Sequence, residues 1–206
     1  MNRLSKAFDT PWKLWNQLGR WMIYPQARLL MTLNGIAWGR GWSFYGLPIL
    51  QKHRHSVMKF GEGFSLRSSA HSNPLAPNHP VVLSTLRAGA VLEIGRNFGM
   101  TGGSICAATR VTIGNNVAVG ANCVITDTDF HPLHPHARLL EPQNGKSEPV
   151  VIGDNVFIGM NSIVLKGVTI GANSVIGAGS VVSRSIPADS IAAGSPAVVI
   201  RKFEDV

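Results

Sequence analysis

The sequence has few cysteines, few acidic residues and no long hydrophobic run. Its two cysteines, Cys106 and Cys123, lie outside any Cys-x-x-Cys pattern, so we expect buried reduced thiols rather than a disulfide or a metal site. No apolar run approaches the roughly 18 to 20 residues that span a bilayer, and the N-terminus lacks the apolar core and cleavage site of a signal peptide. With 45% apolar and 15% charged residues, the chain is expected to be a folded cytoplasmic protein.

Acidic residues are scarcest in the first 60 positions. That segment holds nine lysines and arginines against Asp9 alone, which accounts for the whole net charge of +8. No recognition helix, zinc-finger spacing or RNA-binding signature accompanies it, so we expect no nucleic-acid partner. An anionic membrane surface or a lipid-linked substrate suits these cations better, which would make the protein peripheral at the inner face of the membrane.

Residues 1–35 form a basic, tryptophan-rich segment with helical character. Pro11 suits a first helical position, Pro25 is predicted to end the helix, and a second short helix over 26–33 would stop at Asn34 and Gly35. The apolar residues of the first helix share one face, and all five tryptophans fall in the first 42 residues. We favour a helix packed over the end or side of the main domain. The alternative is an amphipathic helix at a membrane interface.

A six-residue repeat organises the remainder, residues 36–206. Aliphatic residues recur six apart without a miss at Ile152, Ile158, Val164, Ile170, Ile176 and Val182. The same register appears earlier at Ile113, Val119 and Ile125, and less regularly from Phe60 to Met100. A period of six fits neither a helix nor a simple alternating hairpin sheet, but it fits a solenoid with three flat faces and 18 residues per coil. The sequence therefore predicts an all-β domain in which Ile152 stacks on Ile170, Ile158 on Ile176 and Val164 on Val182.

Two stretches break the period, at about residues 68–90 and 127–151. Functional residues in solenoids are commonly added in such excursions. The first is a polar, proline-punctuated loop to which we assign no chemistry. The second directly follows the Ile125 repeat and carries Asp127, Asp129 and His131.

These features resemble the hexapeptide-repeat acyltransferases, in particular the maltose and galactoside O-acetyltransferases and those of surface-polysaccharide biosynthesis. The resemblance runs from about residue 94 to 201. It is carried by residues 94–98, 127–132 with Arg138, 152–159, 167–171, 174–182 and 193–197.

The resemblance implies a left-handed parallel β-helix with a protruding catalytic loop, assembled as a homotrimer. It implies that acetyl-CoA is the co-substrate and lies in a groove between neighbouring subunits. By the same resemblance, the cofactor-binding positions of this chain are Phe157, Ala178, Gly179, Ser183, Arg184 and Arg201.

His131 matches the family's catalytic histidine. A sugar hydroxyl is a poor nucleophile near neutral pH, and neutral imidazole has the basicity to take its proton during attack on a thioester. We expect one ring nitrogen to accept that proton while a carboxylate or a backbone carbonyl holds the other. Asp129 and Asp127 are the candidate carboxylates, although short aspartates at a loop entry commonly serve to form the turn.

The acceptor contacts depart from the sugar-acetylating relatives, which carry an asparagine where this chain has a Gly-Met-Thr-Gly-Gly-Ser segment at 99–104. We take Asn97, Thr101 and Ser104 as candidate substrate contacts, and the glycine-rich turn as a source of backbone N–H groups for the oxyanion. A glycan or lipid-linked carbohydrate is expected rather than a small free sugar.

Three alternatives remain open. The acceptor could be an amine or a xenobiotic hydroxyl, and the chain could be a non-catalytic β-helix scaffold. The third is a γ-carbonic-anhydrase-like zinc enzyme, because His131 and His136 have the spacing of two ligands in that family. The position near residue 95 where the third ligand would lie holds no histidine, so we expect no metal.

Overall fold

The computed structural model describes residues 9–203. Helix α1 spans Pro11–Leu33, helix α2 spans Pro135–Leu140, and a 3-10 turn covers Ala70–Ser72. The remaining regular structure consists of short strands: β1 Ser43–Tyr45, β2 Ile49–Lys52, β3 Val57–Phe60, β4 Ser65–Arg67, β5 Val82–Thr85, β6 Val91–Ile94, β7 Gly99–Thr101, β8 Ser104–Ala107, β9 Arg110–Ile113, β10 Ala118–Val119, β11 Val124–Thr126, β12 Val150–Ile152, β13 Phe157–Ile158, β14 Ile163–Val164, β15 Thr169–Ile170, β16 Val175–Ile176, β17 Val181–Val182, β18 Ser190–Gly194 and β19 Ala197–Lys202.

The strands form three sheets that share one core. From β1 to β17, successive strands visit the first, second and third sheet in turn, and each pairs in parallel with the strand one coil away. β18 returns to the first sheet, where β19 pairs with it antiparallel. The first sheet is β1-β4-β7-β10-β13-β16-β18-β19, the second β17-β14-β11-β8-β5-β2, and the third β15-β12-β9-β6-β3. The architecture is therefore the three-faced β-helix that the six-residue period predicts.

The aliphatic stacks are confirmed residue by residue. Ile152 pairs with Ile170, Ile158 with Ile176, and Val164 with Val182, and all six side chains are buried. Each two-residue strand of these coils points one side chain outward and one inward, since successive side chains on a strand face opposite sides. One inward aliphatic residue per strand fills the triangular interior.

Three corners connect the sheets in every coil. In the last regular coils the first corner, between the first and second sheets, is residues 159–162, the second corner is 165–168, and the third corner is 171–174. A Cβ at Gly159 would lie 2.5 Å from the Ala178 nitrogen, so the glycine there provides room for the neighbouring coil. The left-handed backbone at the first and third corners falls on several asparagines as well as on glycines; the asparagines include Asn155, Asn161 and Asn173.

Helix α1 differs from the prediction, because it runs through Pro25 as one helix. Proline removes a single hydrogen bond, to the carbonyl four residues earlier at Trp21, and Trp21 lies on an exposed side where water can serve that carbonyl. The predicted start at Pro11 and the stop at Asn34 are confirmed. Ala27 and Met31 are fully buried in the core cluster, so the helix packs against the first coil.

The two excursions are shorter than predicted, because their last residues return to the sheets. Val82–Thr85 forms β5 of the second sheet, which limits the first excursion to residues 68–81. Val150–Ile152 forms β12 of the third sheet, so the second excursion ends at residue 149. Among residues 9–203, no helix combines the length and hydropathy needed to cross a membrane.

Candidate active site

The second excursion leaves and rejoins the β-helix at the second corner, directly after β11. A short antiparallel neck closes its base: Thr128 bridges Ser147, the Asp129 N–H donates to Lys146 O, and the Glu148 N–H donates to Asp127 O. The Ser147 hydroxyl adds a hydrogen bond of 2.9 Å to Thr128 Oγ1. The neck ties the start of the loop to the rigid coil, and His131 lies just beyond it.

The backbone before His131 is held in an unusual conformation. Phe130 has φ +62°, a left-handed value that residues other than glycine rarely adopt outside special sites. Gly145 packs directly against this segment, and a Cβ there would lie 2.6 Å from the His131 nitrogen. The pair of residues therefore fixes where the chain presents the histidine. Sequence reasoning missed Gly145, which follows no six-residue register.

The His131 ring is oriented by a backbone carbonyl. Its Nδ1 lies 2.6 Å from Pro142 O, across the loop. A carbonyl can only accept a hydrogen bond, so we assign the proton to Nδ1. In the neutral ring Nε2 is then the basic nitrogen, on a side chain that is exposed to solvent. The sequence left open whether a carboxylate or a backbone carbonyl orients the ring. In the structure the Pro142 carbonyl orients it.

Asp127 has a different role from the one proposed for it. Its carboxylate is fully buried and accepts hydrogen bonds from the N–H groups of Ala108, Thr109 and Arg110, at 2.6 to 2.7 Å, and from the Thr109 hydroxyl at 2.8 Å. These donors form the second corner of the preceding coil. Asp127 therefore joins two coils at the base of the loop instead of orienting His131.

Asp129 forms an ion pair with Lys166, with Oδ1 2.7 Å from Nζ and both side chains about four-fifths buried. Its second oxygen, Oδ2, is buried without a hydrogen-bond partner. Asp129 also reaches His131 through the backbone, since its carbonyl accepts the His131 N–H at 2.7 Å. Lys166 lies one coil later at the same corner, and sequence reasoning missed it because it occupies an ordinary corner position of a repeat.

A second ion pair, Lys146 to Glu148, lies on the neck and is exposed. The Lys146 ammonium lowers the pKa of the Glu148 carboxyl through a hydrogen bond and its charge, and Glu148 raises the pKa of Lys146 in return. Both side chains therefore stay charged at neutral pH.

The glycine-rich segment 99–104 is a covered first corner. Gly102 and Gly103 both have left-handed φ, and a Cβ at Gly102 would lie 2.5 Å from Pro77 of the first excursion. The N–H groups of Gly102 and Ser104 donate to backbone carbonyls of Arg67 and Cys123, so neither is available to an oxyanion.

The candidate acceptor contacts are also engaged or distant from His131. Thr101 is buried, and its hydroxyl accepts from Asn73 Nδ2 at 3.3 Å. Asn97 belongs to a ladder of side-chain amides at the third corner, where its Nδ2 donates to Asn116 Oδ1 at 2.9 Å. Ser104 begins β8, so none of the three shares the second corner with His131. Asn97 and Thr101 therefore hold hydrogen bonds within the protein, and their role as substrate contacts stays a prediction.

The predicted cofactor residues are exposed but divided among different parts of one chain. Phe157 and Arg201 lie in strands of the first sheet, β13 and β19. Ala178 and Gly179 occupy the first corner, whereas Ser183 and Arg184 follow β17 at the second corner. A Cβ at Gly179 would meet nothing within 4 Å, so the space beside it is open in the isolated chain. The single chain does not gather these residues into one site.

The remaining candidate chemistry concerns thiols and metals. Cys106 and Cys123 are free and buried, as predicted. Burial, and then the Asp127 carboxylate, raise the pKa of the Cys106 thiol to about 11, and burial raises the pKa of Cys123. Over residues 9–203, no three His, Cys, Asp or Glu side chains are grouped closely enough to hold a metal ion.

Comparison with known proteins agrees with the fold. The model of the bacterial transferase hexapeptide (six repeats) matches residues 149–184, and that of the hexapeptide repeat of succinyl-transferase matches residues 110–127. The galactoside O-acetyltransferase of Escherichia coli is 44% identical over 120 residues, 57% of each chain, and that of Lactococcus lactis is 44% identical over 109 residues, 53% of this chain and 50% of the relative. A solved galactoside acetyltransferase in complex with coenzyme A has a TM-score of 0.53 at 30% identity, covering 81% of this chain and 66% of that one. A hexapeptide-repeat-containing acetyltransferase from Vibrio cholerae has a TM-score of 0.51 at 32% identity, covering 54% and 62%.

The repeats and the three-faced coil define this chain as a hexapeptide-repeat protein with the left-handed parallel β-helix fold, which confirms the predicted fold class. Within that class it is similar to the hexapeptide-repeat acyltransferases, as the resemblance predicted. The chain spans about half the length of the curated relatives that it matches.

Proposed function

We propose that this protein is an acetyl-CoA-dependent O-acetyltransferase that acts on a carbohydrate hydroxyl in surface-polysaccharide or glycolipid assembly. The observation that carries the proposal is the His131 ring. Its Nδ1 is held by Pro142 O at 2.6 Å on a loop tied to the coil, which leaves Nε2 of this exposed side chain as the basic nitrogen. The galactoside acetyltransferase relatives supply the reaction class.

The reaction requires one base and no change of oxidation state. Nε2 of His131 accepts the proton of the acceptor hydroxyl as its oxygen bonds to the thioester carbonyl carbon. The tetrahedral intermediate then expels the thiolate of CoA by breaking the carbon–sulfur bond, and the imidazolium returns the proton to sulfur. The Pro142 carbonyl holds the Nδ1 proton throughout, so a single ring orientation serves both proton transfers.

The division of the cofactor residues supports a homotrimer. His131, Ser183 and Arg184 belong to the second corner, whereas Phe157, Ala178, Gly179 and Arg201 face away from it on the first sheet and first corner. A neighbouring copy that placed its first sheet beside the second corner would bring both sets to one groove. In that groove Arg184 and Arg201 would pair with nucleotide phosphates through charge-assisted hydrogen bonds, and the open space at Gly179 would receive the pantetheine arm.

The acceptor and the location are part of the same proposal. A lipid-linked carbohydrate at the cytoplasmic face of a membrane would account for a protein with a strongly basic N-terminal segment. Helix α1 is the described element that would make peripheral contact with the lipid surface.

The direct test is release of free thiol from acetyl-CoA in the presence of a panel of glycans and lipid-linked sugars, followed by mass spectrometry of the products. We expect an acceptor-dependent thiol signal and a product heavier by one acetyl group on oxygen. Product acetylated on nitrogen would instead indicate an amine acceptor. Bound zinc with no thiol release would overturn the proposal in favour of a hydratase, and neither zinc nor turnover would indicate a scaffold.

A further inference from the structure

Helix α1 has two different faces. One face packs on the protein: Ala27 and Met31 are fully buried, Ile23 packs against the same core, and Asn16 donates a hydrogen bond to His71 O. At about 100° per residue, these positions lie within about 40° of Ala27 around the helix axis. This attachment holds the helix along the first coil, so the opposite face has a fixed direction.

The opposite face is apolar and exposed. Ten helix positions lie within about 60° of Leu18, which is diametrically opposite Ala27. All ten are exposed, and nine are apolar or proline; Thr32 is the exception. Two tryptophans on this face, Trp15 and Trp21, are 72% and 76% exposed. The full set is Pro11, Leu14, Trp15, Leu18, Trp21, Met22, Pro25, Leu29, Thr32 and Leu33.

These ten residues, which we call the outer face, form one continuous patch. Apolar residues scattered singly over a protein surface do not form such a patch. The outer face extends for about 30 Å along the helix at 1.5 Å per residue. Contiguous apolar patches of this kind mark contact surfaces for proteins or lipids. Two flanks separate the outer face from the face that contacts the core. These flanks carry Gln17, Gln26 and Arg28.

Helix α1 carries three cations and no acidic residue: Arg28 lies beside the outer face, whereas Lys13 and Arg20 lie within about 40° of Ala27, on the inner side. Residues 10–61 contain seven lysines and arginines and no acidic residue. Arg28 lies about 20° beyond the edge of the apolar sector, beside Trp21. Two copies of this surface packed on each other would bring together two Arg28 side chains and two segments of net positive charge, with no carboxylate in either helix to pair them, which disfavours a second copy as the occupant. A surface with negative headgroups above an apolar layer complements both features.

We propose that the outer face of α1 is a lipid-docking surface that lies in the interface of an anionic bilayer. Leucine, methionine and tryptophan side chains enter the boundary between headgroups and acyl chains, and Arg28 on the flank contacts the headgroups. Because its inner face is anchored on the first coil, the helix docks as a rigid part of the protein. This inference rests on the membrane location in the proposed function and deepens it; vesicle binding is measured without acetyl-CoA, so its failure is distinguishable from failure of the acetyltransferase reaction.

The test uses the full chain and two double variants that each add two negative charges. Leu18→Glu with Met22→Glu places them at the centre of the outer face. Gln17→Glu with Gln26→Glu places them on its flanks, at exposed positions of the same helix. Binding is measured by co-sedimentation with vesicles of phosphatidylcholine alone and with about 30% phosphatidylglycerol, at about 50 mM and about 500 mM salt.

We expect the unmodified chain to bind the anionic vesicles at least about tenfold more strongly than neutral ones at low salt, and to lose most of that gain at high salt. The outer-face variant should lose at least about tenfold in partitioning and the flank variant less than about threefold. Quenching of tryptophan fluorescence by brominated lipid in the unmodified chain gives a measure that needs no variant.

Three results would overturn the inference. The first is no binding of the unmodified chain to anionic vesicles at low salt, together with no tryptophan quenching. The second is an equal loss in the two variants, which would mean that charge alone acts. The third is a fall in particle mass by light scattering for the outer-face variant only, which would identify the face as a contact between subunits.

Discussion

Pro142 holds His131: the carbonyl oxygen of one lies 2.6 Å from the ring Nδ1 of the other, across a loop whose ends are tied to the coil. The interaction fixes both the tautomer and the direction of the ring. An orienting carbonyl adds no negative charge beside the imidazole, unlike the carboxylate of a Ser-His-Asp triad.

Replacement of His131 by alanine removes the proposed base and leaves the β-helix intact. We expect turnover to fall on the order of 10² to 10⁴, with binding of CoA retained. The matched control is His55→Ala, at an exposed histidine outside the loop, which should keep its turnover. Steady-state kinetics and calorimetric titration with CoA measure the two effects. Unchanged turnover in His131→Ala would remove this residue from the mechanism.

A methyl group at Gly145 should displace His131. The Cβ of Gly145→Ala would lie 2.5 Å from the Phe130 carbonyl carbon and 2.6 Å from the His131 nitrogen, so the backbone there must shift. Because positioning errors of about 1 Å reduce turnover strongly, we expect at least about a tenfold loss with little change in melting temperature.

The control for that experiment is Gly19→Ala, where an added Cβ meets nothing within 4 Å. Alanine in the interior of a helix is more favourable than glycine by about 0.5 to 1 kcal/mol, so this variant should be slightly more stable and fully active. Equal activity in the two variants would contradict the role assigned to Gly145.

Asp127→Asn tests the buried junction between coils. The amide keeps the shape of the side chain, but its nitrogen replaces one carboxylate oxygen and cannot accept the hydrogen bonds made there, from Ala108 at Oδ1 or from Thr109 and Arg110 at Oδ2. We expect the free energy of unfolding to drop by about 1 to 3 kcal/mol in urea denaturation. Asp154→Asn, at an exposed carboxylate that accepts from the Asn115 N–H, should cost less. A larger loss in the exposed variant would argue against the structural role of Asp127.

The raised pKa of Cys106 makes stability depend on alkaline pH. The thiol has a pKa of about 9 in the unfolded chain and about 11 in the folded protein, where burial opposes its ionisation. Between these values the unfolded chain has released the proton and the folded protein has not. The free energy of unfolding therefore falls as pH rises from about 9 to about 11. Denaturation across this window should show a shallower decline for Cys106→Ala than for the unmodified chain, and parallel curves would refute the assignment.

The sequence predicted the coil more completely than the site. The inward aliphatic positions repeat every six residues, so the spacing alone determines that Ile152 stacks on Ile170. Asn155 and Asn173 were not recognised as corner residues, because a left-handed backbone leaves no hydrophobic pattern in the sequence. Pro25 was misread because the loss of one solvent-facing hydrogen bond is tolerated where packing of Ala27 and Met31 stabilises the helix.

The contacts at the site that the sequence did not show join distant coils. The sequence makes Thr101 a candidate substrate contact and the glycine-rich turn a source of oxyanion N–H groups, and only the fold places Pro77 over that corner. Lys166 and Asp129 meet because the chain returns to the same corner one coil later, a proximity that their separation of 37 positions conceals in the sequence. Residues could be inferred from the sequence where they lie in the six-residue register or in the family motif.

The loop that carries His131 is inserted without changing the register of the coil. Regular coils pair residues 18 apart, as Ile152 with Ile170, whereas Ile113 pairs with Ile152, 39 apart, across the loop. The 21 extra residues equal the length from 128 to 148, so a chain without them would pass from Asp127 to Pro149 with every inward side chain still inward. The β-helix and the loop that carries His131 are therefore separable in this molecule. The loop can change in length or sequence without changing which side chains of the strands point inward.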